Sequence, residues 1–187
     1  MPASRIFGLT AGDSIDREPR LKEVVMGLHW DPPVDARPDR PADLDALCLL
    51  LDCDGQALEI IHPGHTRSLD GSVIHTGDSR TGASHWDDER IFVFLEALPS
   101  SVSKVSFLVS SAAGVSFDAI PGASCHVSDP ISDMPWVRVD LTTLCGQTVH
   151  TVAVLCRDAA GWRFSTEPLT DDGLRYADLA MRARSAK

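Results

Sequence analysis

Long apolar runs are missing from this chain. No stretch of about 18 or more apolar residues occurs, which argues against a helical membrane span, and residues 1–16 lack the apolar segment of a secretory signal. Positive charge is also scarce. Lys and Arg number 17 against 27 Asp and Glu, leaving a net charge of −10. Such a surface repels nucleic acid and anionic membranes, so neither is an expected partner. Close cysteine pairs are absent too. The five cysteines, Cys48, Cys53, Cys125, Cys145 and Cys156, are odd in number and contain no C-x-x-C. A disulfide framework and a zinc–thiolate site are therefore disfavoured, and reduced, mostly buried thiols of a cytoplasmic protein are expected. No G-x-S-x-G, H-E-x-x-H, G-x-x-x-x-G-K or G-x-G-x-x-G occurs, so nothing nominates an enzyme.

What is present reads as strands. Hydrophobic residues are 43% of 187, enough to fill the core of one domain. Leu21 to Trp30 is an extended apolar segment closed by Asp31-Pro32-Pro33. Leu44 to Leu51 is nearly continuous apolar sequence, Asp54-Gly55 is a hairpin turn, and Leu58 to Ile61 returns beside it. Asp52-Cys53-Asp54-Gly55 is not an EF-hand, since Leu50 and Ile61 occupy positions that need oxygen ligands. Ile91 to Leu95, the alternating Val105, Phe107 and Val109, and the Val137–Val139 segment read as further strands. Val149 to Cys156 turns at Ala160-Gly161 and returns through Trp162 and Phe164. Many short strands with frequent turn signals predict an all-β, two-sheet antiparallel β-sandwich. Only Leu174 to Arg184 has a helical period, which predicts a short C-terminal helix.

The tract from His62 to Glu89 carries no strong strand signal and reads as a long acidic loop, a kind of segment that is often functional. Asp70-Gly71-Ser72 and Gly77-Asp78-Ser79 are tight-turn sequences, and Asp87-Asp88-Glu89 crowds three carboxylates at a strand start. In a regular strand Asp87 and Glu89 would share one face, with Asp88 opposite. Asp43 and Asp45 flank Leu44, so both point to the side opposite it. Crowded carboxylates repel, and a divalent cation offsets that. Calcium, which accepts six to eight oxygens in flexible geometry, is the natural ion. A solvated, metal-free acidic loop is the other reading of the same composition. His62, His65, His75 and His85 lie in the tract as well, and imidazoles suit zinc, copper or nickel, but their spacing is not specific.

These segments together resemble the TerD family of tellurium-resistance and general stress proteins. The resemblance is carried by Gly27-Leu28 with Trp30-Asp31, by Asp43-Leu44-Asp45-Ala46, by SLDGSVIHTGD (Ser68 to Asp78) and by Arg80-Thr81-Gly82. The DDE run (Asp87 to Glu89) and the VAVLCRDAAGWRF hairpin (Val152 to Phe164) complete it. It covers about residues 5 to 170, a TerD-like domain over 1–170, with 171–187 left as an extension. What it implies is a cytoplasmic, non-enzymatic stress-response β-sandwich that binds one or two calcium ions through acidic loops at one end. Carried over by position, ligand roles fall on Asp43, Asp45, Asp70, Asp78, Asp87, Asp88 and Glu89, with Ser72 and His75 as loop scaffold. Two segments depart from the family pattern: IIHPGHTRS (Ile61 to Ser68) and Ala83-Ser84-His85-Trp86. Calcium ions and other stress-response proteins are the implied partners. The alternative is a metal-free protein–protein interaction module that uses Trp86, His85 and Pro63 as contact area.

Overall fold

The computed structural model describes residues 21–32 and 42–165, and the statements below concern those residues. Strand-forming segments become ten strands: β1 (Glu23–His29), β2 (Leu44–Leu51), β3 (Ala57–Ile61), β4 (Val73–His75), β5 (Glu89–Phe94), β6 (Lys104–Ser111), β7 (Ser124–Ser128), β8 (Pro135–Asp140), β9 (Val149–Asp158) and β10 (Gly161–Phe164). They form two five-stranded sheets, ordered β4-β5-β1-β7-β8 and β10-β9-β6-β2-β3. Every pairing is antiparallel.

The two-residue period of a strand decides what lies between the sheets. From the first sheet come Val24, Met26 and Leu28 of β1 and Ile91 and Val93 of β5. From the second come Leu44, Ala46, Cys48 and Leu50 of β2, with Val105, Phe107 and Val109 of β6. All are buried in one core, so the expected sandwich forms. Leu47, Leu49 and Leu51 alternate to the opposite side of β2, where they cluster with Leu108. The hairpins expected at β2–β3 and β9–β10 are both present. Trp162 closes one end of the core, its indole Nε1–H donating to the Leu95 carbonyl at 3.0 Å.

Several expectations need correction. The His62–Glu89 tract is not one loop, because β4 sits inside it and pairs with β5. Val73 and His75 are buried and Ile74 is half-buried, so three residues suffice for an edge strand despite the polar surroundings. Strand β5 begins at Glu89, so Asp87 and Asp88 precede it and are free of its alternation. Thiol burial is also less general than expected. All five cysteines are free, but only Cys48 and Cys125 are buried, while Cys53 and Cys145 sit exposed in turns. Burial pushes the Cys48 and Cys125 thiols well above their ordinary pKa, so both stay protonated. The helix expected over Leu174 to Arg184 lies outside the described residues.

Candidate metal centre

Strand β2 and the tract around β4 meet at one end of the sandwich. Asp45 is the second residue of β2, on the face away from Leu44, and Asp43 stands just before the strand. Beyond β4, Thr76 and Arg90 exchange hydrogen bonds of 2.9 Å, Thr76 N to Arg90 O and Arg90 N to Thr76 Oγ1. The chain then turns through Gly77, whose φ of +110° is ordinary for glycine and costly for other residues. That turn delivers Asp78 to the same place. One carboxylate oxygen from each of Asp43, Asp45 and Asp78 lies within 4.8 Å of the others, with Asp45 buried, Asp43 half-buried and Asp78 exposed. Among the described residues this is the one group of three His, Cys, Asp or Glu side chains so placed. Arg80 is the cation built in beside it, with its Nε 2.9 Å from Asp78 Oδ2.

The other four carboxylates of the expected ligand set have different neighbours. Asp70 Oδ1 accepts from Ser68 Oγ at 2.6 Å, Ser72 Oγ at 2.7 Å and Ser72 N at 2.9 Å. Burial opposes ionisation of Asp70, but these hydrogen bonds outweigh it and hold the carboxyl below its ordinary pKa. Asp87 Oδ2 pairs with Arg90 Nε at 2.7 Å, and its Oδ1 is 3.7 Å from His126 Nδ1. These groups lie over Gly27, on the outer side of the first sheet, where a Cβ at residue 27 would collide with His126 and Asp87. Asp87 and Glu89 thus point to opposite sides, contrary to the strand expectation.

Asp88 organises the loop. Its backbone N–H donates to Leu28 O at 2.7 Å, and its side chain accepts from Trp30 N and Ser84 N, both at 3.1 Å. His29 Nδ1 lies 3.0 Å from Asp88 Oδ2 and 2.9 Å from the Trp86 carbonyl. Gly82 packs directly on the buried Trp30 indole with φ of +58°.

Glu89 is fully buried on the core side of β5. Its Oε2 accepts the Ala46 amide at 2.8 Å and its Oε1 the Ser79 amide at 3.1 Å. His75 Nε2 is 3.4 Å from Oε2. Desolvation raises the Glu89 pKa, against the opposing pull of His75 and the two amides.

The structure therefore brings Asp43, Asp45 and Asp78 together. It holds Asp70 in a turn of its own, pairs Asp87 with Arg90, and uses Asp88 and Glu89 as hydrogen-bond acceptors that tie the loop to Trp30 and to Ala46 of β2. The sequence does not by itself mark Arg80, Arg90 and His126 as partners of these carboxylates. The two-residue spacing of Asp78 and Arg80 was the one signal that could have shown the first. Histidines form no three-ligand group among the described residues. His65 instead pairs with Glu59 at 2.8 Å. Trp86 is 78% exposed.

Comparison with known proteins decides the family. The family model of the TerD domain matches residues 9–169. The chain belongs to the TerD family. It is 33% identical over 167 residues to the tellurium resistance protein TerD of an Alcaligenes species, covering 85% of this chain and 83% of that protein. It is 31% identical over 171 residues to general stress protein 16U of Bacillus subtilis, covering 85% and 88%. A crystal structure of a homologue of telluride resistance protein (TerD) from Streptomyces coelicolor superposes with a TM-score of 0.68 at 26% identity, covering 78% of this chain and 87% of that one. The chain is a non-enzymatic stress-response protein of the TerD type. Among the described residues, no helix is long and apolar enough to cross a membrane.

Proposed function

We propose that this TerD-family protein is a cytoplasmic calcium-binding stress-response protein, with Ca2+ held by Asp43, Asp45 and Asp78. The observation that carries the reading is the convergence of those three carboxylates from β2 and the Gly77-Asp78 turn. Two like charges about 4 Å apart repel by about 4 kcal/mol at an effective dielectric constant near 20. A hard divalent cation turns that repulsion into attraction, and an all-oxygen donor set suits calcium rather than zinc or copper. Bound there, the ion ties the loop after β4 to the start of β2. A second ion on Asp87 and Asp88 would have to displace the Arg90 guanidinium and the Trp30 amide, so the reading takes one. Five free cysteines fit a reducing compartment.

An ion that binds only the folded chain stabilises it by mass action, by about 2.7 kcal/mol at a hundredfold excess over Kd. Thermal unfolding is expected to shift upward in calcium and downward in chelator. Isothermal titration is expected to show saturable binding. An unchanged melting temperature up to several millimolar calcium sinks the reading.

A second reading rests on exposed apolar side chains. Trp86 and Asp133 line one shallow surface pocket. Ile131 and Met134, close to Asp133 in sequence, are 90% and 66% exposed, alongside the 78% exposure of Trp86. A metal-free role as an interaction module of a stress-response complex would use that surface. Trp86→Ala separates the two readings, since it leaves calcium binding intact and removes contact area from a protein partner.

A further inference from the structure

We propose that Glu89 is the positioning residue of the calcium site: its buried carboxylate fixes Asp45 and Asp78 relative to each other through the amides that follow them, without coordinating the ion. This rests on the calcium reading above and goes beyond it by assigning a role to a carboxylate outside the converging trio.

Glu89 is linked to both proposed ligands through the residues next to them in the chain. Ala46 is the residue after Asp45 on β2, and Ser79 is the residue after Asp78 in the loop. One oxygen of Glu89 accepts each of these amides, Oε2 from Ala46 at 2.8 Å and Oε1 from Ser79 at 3.1 Å. Strands β5 and β2 belong to different sheets. A single side chain therefore crosses between the sheets and clamps the two segments that supply the proposed ligands. It is fully buried, so no solvent competes for those amides.

His75 completes the clamp. Its Nδ1 accepts from Gly77 N at 2.9 Å, and a ring nitrogen that accepts carries no proton. The proton is then on Nε2, which lies 3.2 Å from the Ala46 carbonyl and 3.4 Å from Glu89 Oε2. The imidazole thus joins the Gly77 turn, the Ala46 peptide and the Glu89 carboxylate. Glu89 itself is absent from the group of carboxylate oxygens within 4.8 Å of one another. Groups that orient ligands in this way commonly govern metal affinity as strongly as some ligands do.

Glutamine tests the clamp, because its single oxygen can accept from one amide while its NH2 faces the other. Calcium titration of Glu89→Gln is expected to show affinity lower by about 10–100-fold. The decay of bound Tb3+ luminescence in H2O and D2O counts inner-sphere waters. That count is expected to equal the wild-type value in Glu89→Gln. An additional bound water in Glu89→Gln would show that Glu89 is a ligand, and unchanged calcium affinity would show that it positions nothing; either result overturns the proposal. A measurement on the wild-type chain keeps the test independent of the variant's folding. The Ser79 amide is expected to be protected from hydrogen exchange before any ion is added, and exchange at the rate of an open loop overturns the clamp. If the wild-type protein binds neither Ca2+ nor Tb3+, the calcium reading itself fails. Wild-type binding with an unaffected Glu89→Gln sinks only the present inference.

Discussion

Asp70 and Asp78 stand in neighbouring turns of one sequence tract, each beside a glycine with positive φ, yet the fold treats them differently. Asp70 is satisfied locally, by two serine hydroxyls and an amide within two residues on either side. Asp78 is carried to β2 and set against Asp43 and Asp45, with Arg80 beside it. An aspartate that caps its own turn needs nothing from outside the segment. One aimed at two other carboxylates raises the local charge density and gains when a cation arrives. Turn composition alone does not separate the two cases. The difference lies in which strand the turn faces.

The widest gap between the two turns is expected in calcium dependence. Asp45→Asn or Asp78→Asn should abolish the calcium-linked stabilisation, which is about 2.7 kcal/mol at a hundredfold excess over Kd. Asp70→Asn should keep the whole calcium shift, although it weakens its own turn. Differential scanning calorimetry of the variants with calcium and with chelator measures both. A full calcium shift in Asp45→Asn would mean that the Asp43, Asp45 and Asp78 group holds no ion.

The next effect concerns how the loop is held and is independent of the ion. Gly82 and Gly114 both have positive φ, +58° and +67°. At Gly114 an added Cβ meets nothing within 4 Å, whereas at Gly82 it would overlap the Trp30 indole. Alanine at either position costs about 1–2 kcal/mol for the left-handed backbone alone. Gly82→Ala is expected to lose more, since Trp30 is fully buried and cannot retreat. Urea unfolding in chelator should show Gly82→Ala clearly below Gly114→Ala. Equal losses would mean that the loop does not rest on Trp30.

The sandwich was legible because its strands alternate or run apolar for five to eight residues, as in β2 and β6, and because turn residues separate them. Asp43 and Asp45 were legible as a pair on one face for the same reason. Their meeting with Asp78 was not, since it depends on a β4–β5 pairing that only three residues of weak pattern encode. The DDE run misled in a definite way. Strand alternation puts Asp87 and Glu89 on one face only if the strand begins at Asp87, but β5 begins at Glu89, and the Arg90 and His126 groups that draw Asp87 to the outer side come from two different strands. Contacts that are distant in sequence are set by register across strands, and one sequence does not print its register.

Arg80 gives a smaller effect. It is the tethered cation at the proposed site, and its Nε stands 2.9 Å from Asp78 Oδ2. An exposed pair of this kind is weak, so Arg80→Gln should tighten calcium binding by no more than a few-fold. The gain should shrink as salt is raised, because the removed charge is largely solvent-screened. Weaker calcium binding in Arg80→Gln would mean that the arginine supports the loop rather than competing with the ion.

The smallest effect returns to Asp70 and is read in the ion-free protein. Its folded-state pKa lies below the ordinary value of 3.8, because the hydrogen bonds from Ser68 and Ser72 outweigh burial. A carboxyl depressed on folding contributes stability that is present above its unfolded pKa and lost as pH falls through its folded one. The Asp70 contribution should therefore hold from neutral pH down to about pH 4 and disappear below it. Asp70→Asn removes one such group, so the fall in stability with acid should be shallower than in the wild type. Exposure and solvent screening keep the change small, and it is best read from urea midpoints taken at closely spaced pH values in chelator. An acid limb of the same slope in both proteins would mean that the Ser68–Asp70–Ser72 turn is equally formed in the unfolded chain, leaving Asp70 no part in holding β4 against β5.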